Sequence, residues 1–309
     1  MKAVLITEPV HELLPQGLQL LGFKVVHLPD IQRNEVLAII HDFEGLIINS
    51  KIVADSELLH VATKLKFVAR CGSGKEVIDF KLAALRGIAC ITSPEGNRQA
   101  VAEQALGMLL CIMNNVQKAH NEIKEGHWIR EANRGNELFG KTVGIIGYGN
   151  TGEAFANVLA GFNVKVLAYD KYKKGFAQNY ICESAIEMLF AEADVVSLHL
   201  PLTEETKHFA NEEFFKSFRK KIWFLNLSRG VCVNTSSLLQ AIADGKVEAA
   251  ALDVLENEKI NTLNAEEQVW FRRLTINQQI LLTPHIAGWT HESKRKIAEV
   301  LLEKISSIY

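Results

Sequence analysis

The chain is predicted to be an α/β protein built on two doubly wound parallel sheets, and three observations carry that expectation. Short apolar runs alternate with helical patterns along almost its whole length. The later runs are nearly continuous in Val, Ile, Leu and Ala, which marks strands covered on both faces. A length of 309 residues also suits two cores better than one.

The first strands are AVLIT (3–7), FKVVH (23–27), GLIINS (45–50), KFVAR (66–70) and IACI (88–91), with amphipathic stretches such as HELLPQGLQLLG and VIDFKLAALRG between them. One long helical pattern then runs over 98–125. Beyond it come the runs KTVGIIG, VKVLAYD, DVVSLHL, KIWFLNLS, AAALDV and ILLTPH. Strand–helix alternation of this kind means parallel sheets joined by crossovers. The segment 257–279 has poor periodicity and is expected to be a long loop with a helical piece.

Composition narrows the function classes. Hydrophobic residues make up 48% and charged residues 23%, the balance of a soluble globular protein. A net charge of −2 offers no strong field to nucleic acid or an anionic membrane, so neither is expected as a partner. The five cysteines (Cys71, Cys90, Cys111, Cys182, Cys232) show no C-x-x-C pair and read as reduced thiols of a cytoplasmic protein. No apolar stretch reaches membrane-spanning length, the N-terminal run is too short for a signal sequence, and no metal site is expected.

The run VGIIGYGNTG (143–152) spaces Gly147, Gly149 and Gly152 as Gly-x-Gly-x-x-Gly. A buried strand precedes it, helical spacing follows, and the next strand, VKVLAYD, ends in Asp170. That is the context a dinucleotide fingerprint requires. Gly147 permits the tight turn, Gly149 the approach of a pyrophosphate, and Gly152 the packing of helix on strand. The helix start, with Asn150 and Thr151, then offers N–H groups to the phosphates. Asp170 would accept hydrogen bonds from the adenosine ribose hydroxyls and repel a 2′-phosphate, which favours NAD. Lys171, Lys173 and Lys174 soften that preference.

Three later strand ends carry ionisable residues: Arg229 in FLNLSRG, Asp253 and Glu258 in ALDVLENE, and His285 in LLTPHIAGWT. Ligands of doubly wound sheets bind beyond the carboxyl ends of strands, so these residues suggest one site. With GNELFGKTVGIIGYGNTG, GHWIR, TSPEGN, VAEQALGMLL, LNLSRG, ALDVLENE and TPHIAG in this order, the chain resembles the D-isomer-specific 2-hydroxyacid dehydrogenase family over nearly its whole length.

The resemblance implies a flavodoxin-like substrate domain over 1–98 and 284–309 and an NAD-binding Rossmann domain over 99–283. It implies that Arg229 binds the substrate carboxylate and carbonyl, that His285 is the general acid–base, and that Glu258 raises the pKa of His285 and orients its ring. Glu256 is a competing partner for that histidine. Asp253 would bond near the nicotinamide. The cofactor would also meet His199, Leu200, Pro201, Leu227, Ser228, Ala287 and Gly288. In KFVARCGSGKEVID, Arg70, Ser73 and Gly74 would meet substrate, with Arg70 placed for a phosphate. The substrate implied is a phosphorylated 2-hydroxy acid, D-3-phosphoglycerate first, with 4-phosphoerythronate, D-lactate and glyoxylate or hydroxypyruvate as alternatives. A homodimer is implied, with the apolar surface of QAVAEQALGMLLCIM as its interface. Some relatives of this fold sense NADH as corepressors, and that binding function is the competing class.

Overall fold

Parallel pairing gathers the apolar runs into a five-stranded and a seven-stranded sheet. The computed structural model describes residues 2–309. By its contacts the chain forms two compact units, Met1–Arg98 with Trp289–Tyr309, and Gln99–Gly288. Residues 284–288 fall with the second unit, so the return to the first comes later than the expected 284.

The first unit holds β1 (Ala3–Ile6), α1 (Leu13–Leu20), β2 (Lys24–His27), α2 (Arg33–Ile39), β3 (Gly45–Ile48), α3 (Ser56–Val61), β4 (Phe67–Arg70), α4 (Phe80–Leu85) and β5 (Ala89–Thr92). Its sheet runs β2-β1-β3-β4-β5 and is parallel throughout. Alternate residues of the central strands serve opposite faces, as the two-residue strand period requires. Leu5, Leu46 and Val68 join one apolar cluster, while Val4, Ile47 and Phe67 join the other.

Helix α5 (Pro94–Met113) leads into the second unit, followed by α6 (Val116–Lys124), β6 (Thr142–Ile146), α7 (Asn150–Val158), β7 (Lys165–Tyr169), β8 (Ile181–Glu183), α8 (Ile186–Glu192), β9 (Val195–Leu198), α9 (Glu212–Ser217), β10 (Ile222–Asn226), α10 (Thr235–Ala243), β11 (Val247–Leu252), α11 (Ala265–Ile276) and β12 (Ile280–Leu282). Its strands, all parallel, lie in the order β12-β11-β10-β9-β6-β7-β8. Every residue of β9 and β10 is buried, which explains their nearly continuous apolar sequence. Helix α12 (His291–Ser306) belongs to the first unit, where Ala298, Leu301 and Ile305 pack with Leu14 and Leu18 of α1. Each such leucine or isoleucine contributes about 1.5–3 kcal/mol by leaving water.

Four sequence expectations change. The long helical pattern is two helices, because Asn115 takes a left-handed φ of +53° between them. Asparagine visits that region at lower cost than most residues. Segment 257–279 is mostly helix: the Asn264 side chain accepts from the Glu267 N–H and the Glu267 carboxylate accepts from the Asn264 N–H, which starts α11. Leu274 is its one buried residue, so it shows no apolar stripe. Strand β8 is a short edge strand beside β7 that the apolar runs did not reveal. Finally, Val101, Ala102, Ala105, Met108 and Leu109 of α5 are buried in the core of their own unit, which takes most of the apolar surface expected for a dimer.

Candidate active site

The turn after β6 is shaped by what its glycines lack. A Cβ on Gly152 would lie 2.0 Å from the carbonyl oxygen of Gly147, and one on Gly147 would lie 2.4 Å from that of His199. Gly147 also has a φ of +93°. Gly149, extended at the N-cap of α7, faces open space. The backbone is thus bare where α7 begins, and the N–H groups of Asn150 and Thr151 belong to that first turn. This is a cradle that fits a dinucleotide pyrophosphate.

His199 does not present its ring as an open ligand. Its Nε2 lies 2.9 Å from Ser197 Oγ and its Nδ1 3.2 Å from Thr151 Oγ1. Burial pushes its pKa down to about 3, so a neutral ring ties β9 to the first turn of α7. Leu200 and Pro201 follow it on the loop beyond β9, partly buried and exposed respectively.

Asp170 stands at the end of β7. Its Oδ2 accepts from the Tyr148 N–H at 2.8 Å, and its Oδ1 accepts from those of Tyr172 at 2.9 Å and Lys173 at 2.8 Å. Burial alone would raise its pKa, but these three donors outweigh it and hold the carboxyl below its ordinary value. The neighbouring cations are engaged. Lys171 meets Glu205 at 2.6 Å, Lys173 meets Glu153 at 3.3 Å, and Lys174 donates to the Asp170 carbonyl at 3.1 Å.

Beyond β10, Leu227 and Ser228 are buried. The Asn226 amide, wholly buried at the end of the strand, accepts from the Ser228 N–H and hydroxyl and donates to the Arg229 carbonyl at 2.9 Å. Asn226 thereby sets the turn that carries Arg229, a role the sequence reading missed. An amide inside the apolar run FLNLS was the available signal. The Arg229 Nη1 donates to the Ser228 carbonyl at 2.7 Å.

His285 follows β12 with a φ of +55°, in the left-handed region. Its N–H donates to the Asp253 carbonyl at 2.8 Å and the Thr283 carbonyl at 3.0 Å. The Asp253 carboxylate completes that turn. It accepts from Thr283 Oγ1 at 2.5 Å, from the Ile286 N–H at 2.9 Å and from the Ala287 N–H at 2.9 Å. Asp253 is 1% exposed. Both oxygens of Asp253 and the N–H of Ala287 therefore shape the histidine turn. Gly288 closes the unit.

The imidazole Nδ1 of His285 lies 2.9 Å from Glu258 Oε2. The Glu258 hydrogen bond is the largest influence on the ring and raises its pKa; burial and Arg229 oppose it, while the Glu258 and Asp253 charges add to it. The competing Glu256 is bound elsewhere, to His208 and to the Thr235 N–H. Geometry thus pairs Glu258 with His285.

In the first unit, Arg70 ends β4 with its side chain mostly buried. Its Nε donates to the Asn49 carbonyl at 3.2 Å and its Nη1 to Glu76 Oε2 at 3.2 Å. Ser73 is half-buried and Gly74 buried in the loop that follows. Glu8, unmarked by any sequence motif, caps the end of β3: its Oε1 accepts from the N–H groups of Asn49, Ser50 and Lys51 at 3.2, 3.0 and 2.8 Å.

Comparison with known proteins agrees with this arrangement. Residues 106–287 match the D-isomer specific 2-hydroxyacid dehydrogenase, NAD binding domain. The chain is 32% identical to a hydroxypyruvate reductase of Thermotoga maritima, over 89% of this chain and 88% of that one. It is also 32% identical to a D-3-phosphoglycerate dehydrogenase of Archaeoglobus fulgidus, over 98% of this chain but 56% of that one, so it spans little more than half of that relative. The crystal structure of D-lactate dehydrogenase from Aquifex aeolicus complexed with NAD and lactic acid superposes with a TM-score of 0.83 at 25% identity, covering 99% of this chain and 95% of that one. The second unit is therefore an NAD-binding domain, and the chain belongs to the D-isomer specific 2-hydroxyacid dehydrogenase family.

Proposed function

We propose that the protein is an NAD-dependent dehydrogenase that interconverts a small D-2-hydroxy acid and its 2-oxo acid. The observation that carries this reading is the His285–Glu258 pair at 2.9 Å, brought together by the segments that follow β12 and β11, next to β10, which leads to Arg229. Bound NAD supplies the hydride acceptor. The Arg229 guanidinium holds the substrate carboxylate and polarises the reacting carbon–oxygen bond. His285 Nε2 takes the hydroxyl proton in oxidation and returns it in reduction. Glu258 holds Nδ1, which fixes the tautomer and favours the protonated ring. Asp170 receives the adenosine ribose. The lysines beside it are engaged by carboxylates or carbonyls, which supports NAD over NADP.

For the substrate we infer D-3-phosphoglycerate or its unphosphorylated counterpart, the D-glycerate–hydroxypyruvate pair. The Arg70 guanidinium supports a phosphate; its engagement by Glu76 and the end-to-end likeness to a hydroxypyruvate reductase support the unphosphorylated acid. A homodimer belongs to this reading and rests on the exposed Trp128, Ile129 and Phe139 rather than on α5. Five free cysteines agree with a reducing cytoplasm.

The test is NADH formation at alkaline pH with D-3-phosphoglycerate, D-glycerate, D-lactate and 4-phosphoerythronate. Turnover of one or more is expected. Selectivity for phosphoglycerate over glycerate, about tenfold or more, assigns Arg70 to the phosphate. The opposite selectivity removes that role. No turnover of any of the four with tight NADH binding makes the nucleotide-sensing reading the one to pursue.

A further inference from the structure

A second histidine–carboxylate pair stands at the carboxyl edge of the seven-stranded sheet, and the proposed chemistry does not use it. Glu256 Oε2 accepts from His208 Nε2 at 2.8 Å, and its Oε1 accepts from the Thr235 N–H at 2.6 Å. The Glu256 side chain is 18% exposed. Three chain segments meet at this carboxylate. His208 follows β9, Thr235 opens α10 beyond the Arg229 turn, and Glu256 follows β11, two residues before Glu258.

The same segments are tied through their backbones. The His208 N–H donates to the Val231 carbonyl at 2.8 Å, that of Ala210 to the Cys232 carbonyl at 2.9 Å, and that of Asn234 to the Ala210 carbonyl at 3.0 Å. A Cβ on Gly230 would lie 1.9 Å from the Leu255 carbonyl oxygen. The residue after Arg229 is therefore pressed against the residue before Glu256, with no side chain between them. Thr235 is the first residue of its helix, so the carboxylate also meets the partial positive charge of the helix start. His208 has a φ of +49°, a conformation that surrounding contacts must hold.

We propose that Glu256 is a positioning residue: by binding His208 and Thr235 together, it holds the loop that presents Glu258 to His285 in register with the turn that presents Arg229. The kinetic side of this inference rests on the dehydrogenase reading; the geometric side does not. A shift of about 1 Å in a catalytic group is enough to cost orders of magnitude in rate.

The test compares Glu256→Gln with Glu258→Gln. The titration of the His285 ring is followed by NMR in the cofactor-free protein, its resonance assigned by loss in His285→Gln. The groups facing that ring are Glu258, Asp253 and Arg229. Glu258→Gln should move the His285 midpoint down. Glu256→Gln should move it the same way by a smaller amount and lower kcat/KM about tenfold, in the range typical of outer partners. Glu256→Asp should restore part of both. An unchanged His285 midpoint and an unchanged pH profile in Glu256→Gln would overturn the proposal and leave a structural brace, whatever the loss of thermal stability. If no 2-hydroxy acid is turned over, the NMR titration still decides. If the Glu256 variants fail to fold, His208→Gln removes one partner of the same carboxylate and carries the same expectation.

Discussion

Within the nucleotide-binding unit, the turn after β6 and the cluster beyond β10, β11 and β12 are held in different ways. In the turn, the constraint is missing side chains: Cβ atoms on Gly147 and Gly152 would fall 2.4 Å and 2.0 Å from carbonyl oxygens. In the cluster, the constraint is side chains from separate loops bound to one another. Asp253 shapes the His285 turn, Glu258 holds its ring, and Asn226 sets the Arg229 turn. The first arrangement needs only local spacing. The second exists only after three crossovers bring distant segments to one edge of the sheet.

The largest expected effect separates the two regions. His285→Ala should cut turnover by about 10³-fold, within the usual range for a general acid–base, while NADH fluorescence titration still shows binding. Parallel loss of binding and turnover would mean that the regions are not separable. The pH dependence follows from the same ring. Glu258 raises the His285 pKa, so the protonated acid needed for reduction persists above the ordinary histidine range. Reductive kcat/KM should be full at low pH and fall as pH rises through that raised value. The oxidative direction should rise over the same interval, and Glu258→Gln should move both limbs to lower pH.

Gly152→Ala attacks the other region. The added methyl has a backbone oxygen in its path, so about 1–3 kcal/mol of stability should be lost, together with most NADH affinity. Chemical denaturation and NADH titration measure these losses. The His285 titration should stay in place; a large shift would couple the regions. Asp170→Ala is the mildest change. It should weaken NAD about tenfold, the worth of a hydrogen bond to a charged group, and reduce discrimination against NADP. Equal affinity for NAD in the variant and the parent would remove Asp170 from the ribose.

Much of this architecture is legible in the sequence alone. The central strand runs of both sheets stood out because strands covered on both faces are nearly all apolar. Gly147, Gly149 and Gly152 stood out because a steric demand leaves a fixed local spacing. Arg229, Glu258 and His285 could be named because each closely follows a strand run. The break at Asn115, the capped helix α11 and the edge strand β8 escaped because none presents an apolar period. Sequence by itself determined where the strands lie, where the dinucleotide turn falls and which ionisable residues stand at strand ends, because these follow from local sterics and hydrophobic burial. Only the tertiary structure decided that Glu258 rather than Glu256 meets His285, that Asp253 shapes the histidine turn, and that Glu256 joins three loops, because a carboxylate binds whichever donors the crossovers bring within about 3 Å of it.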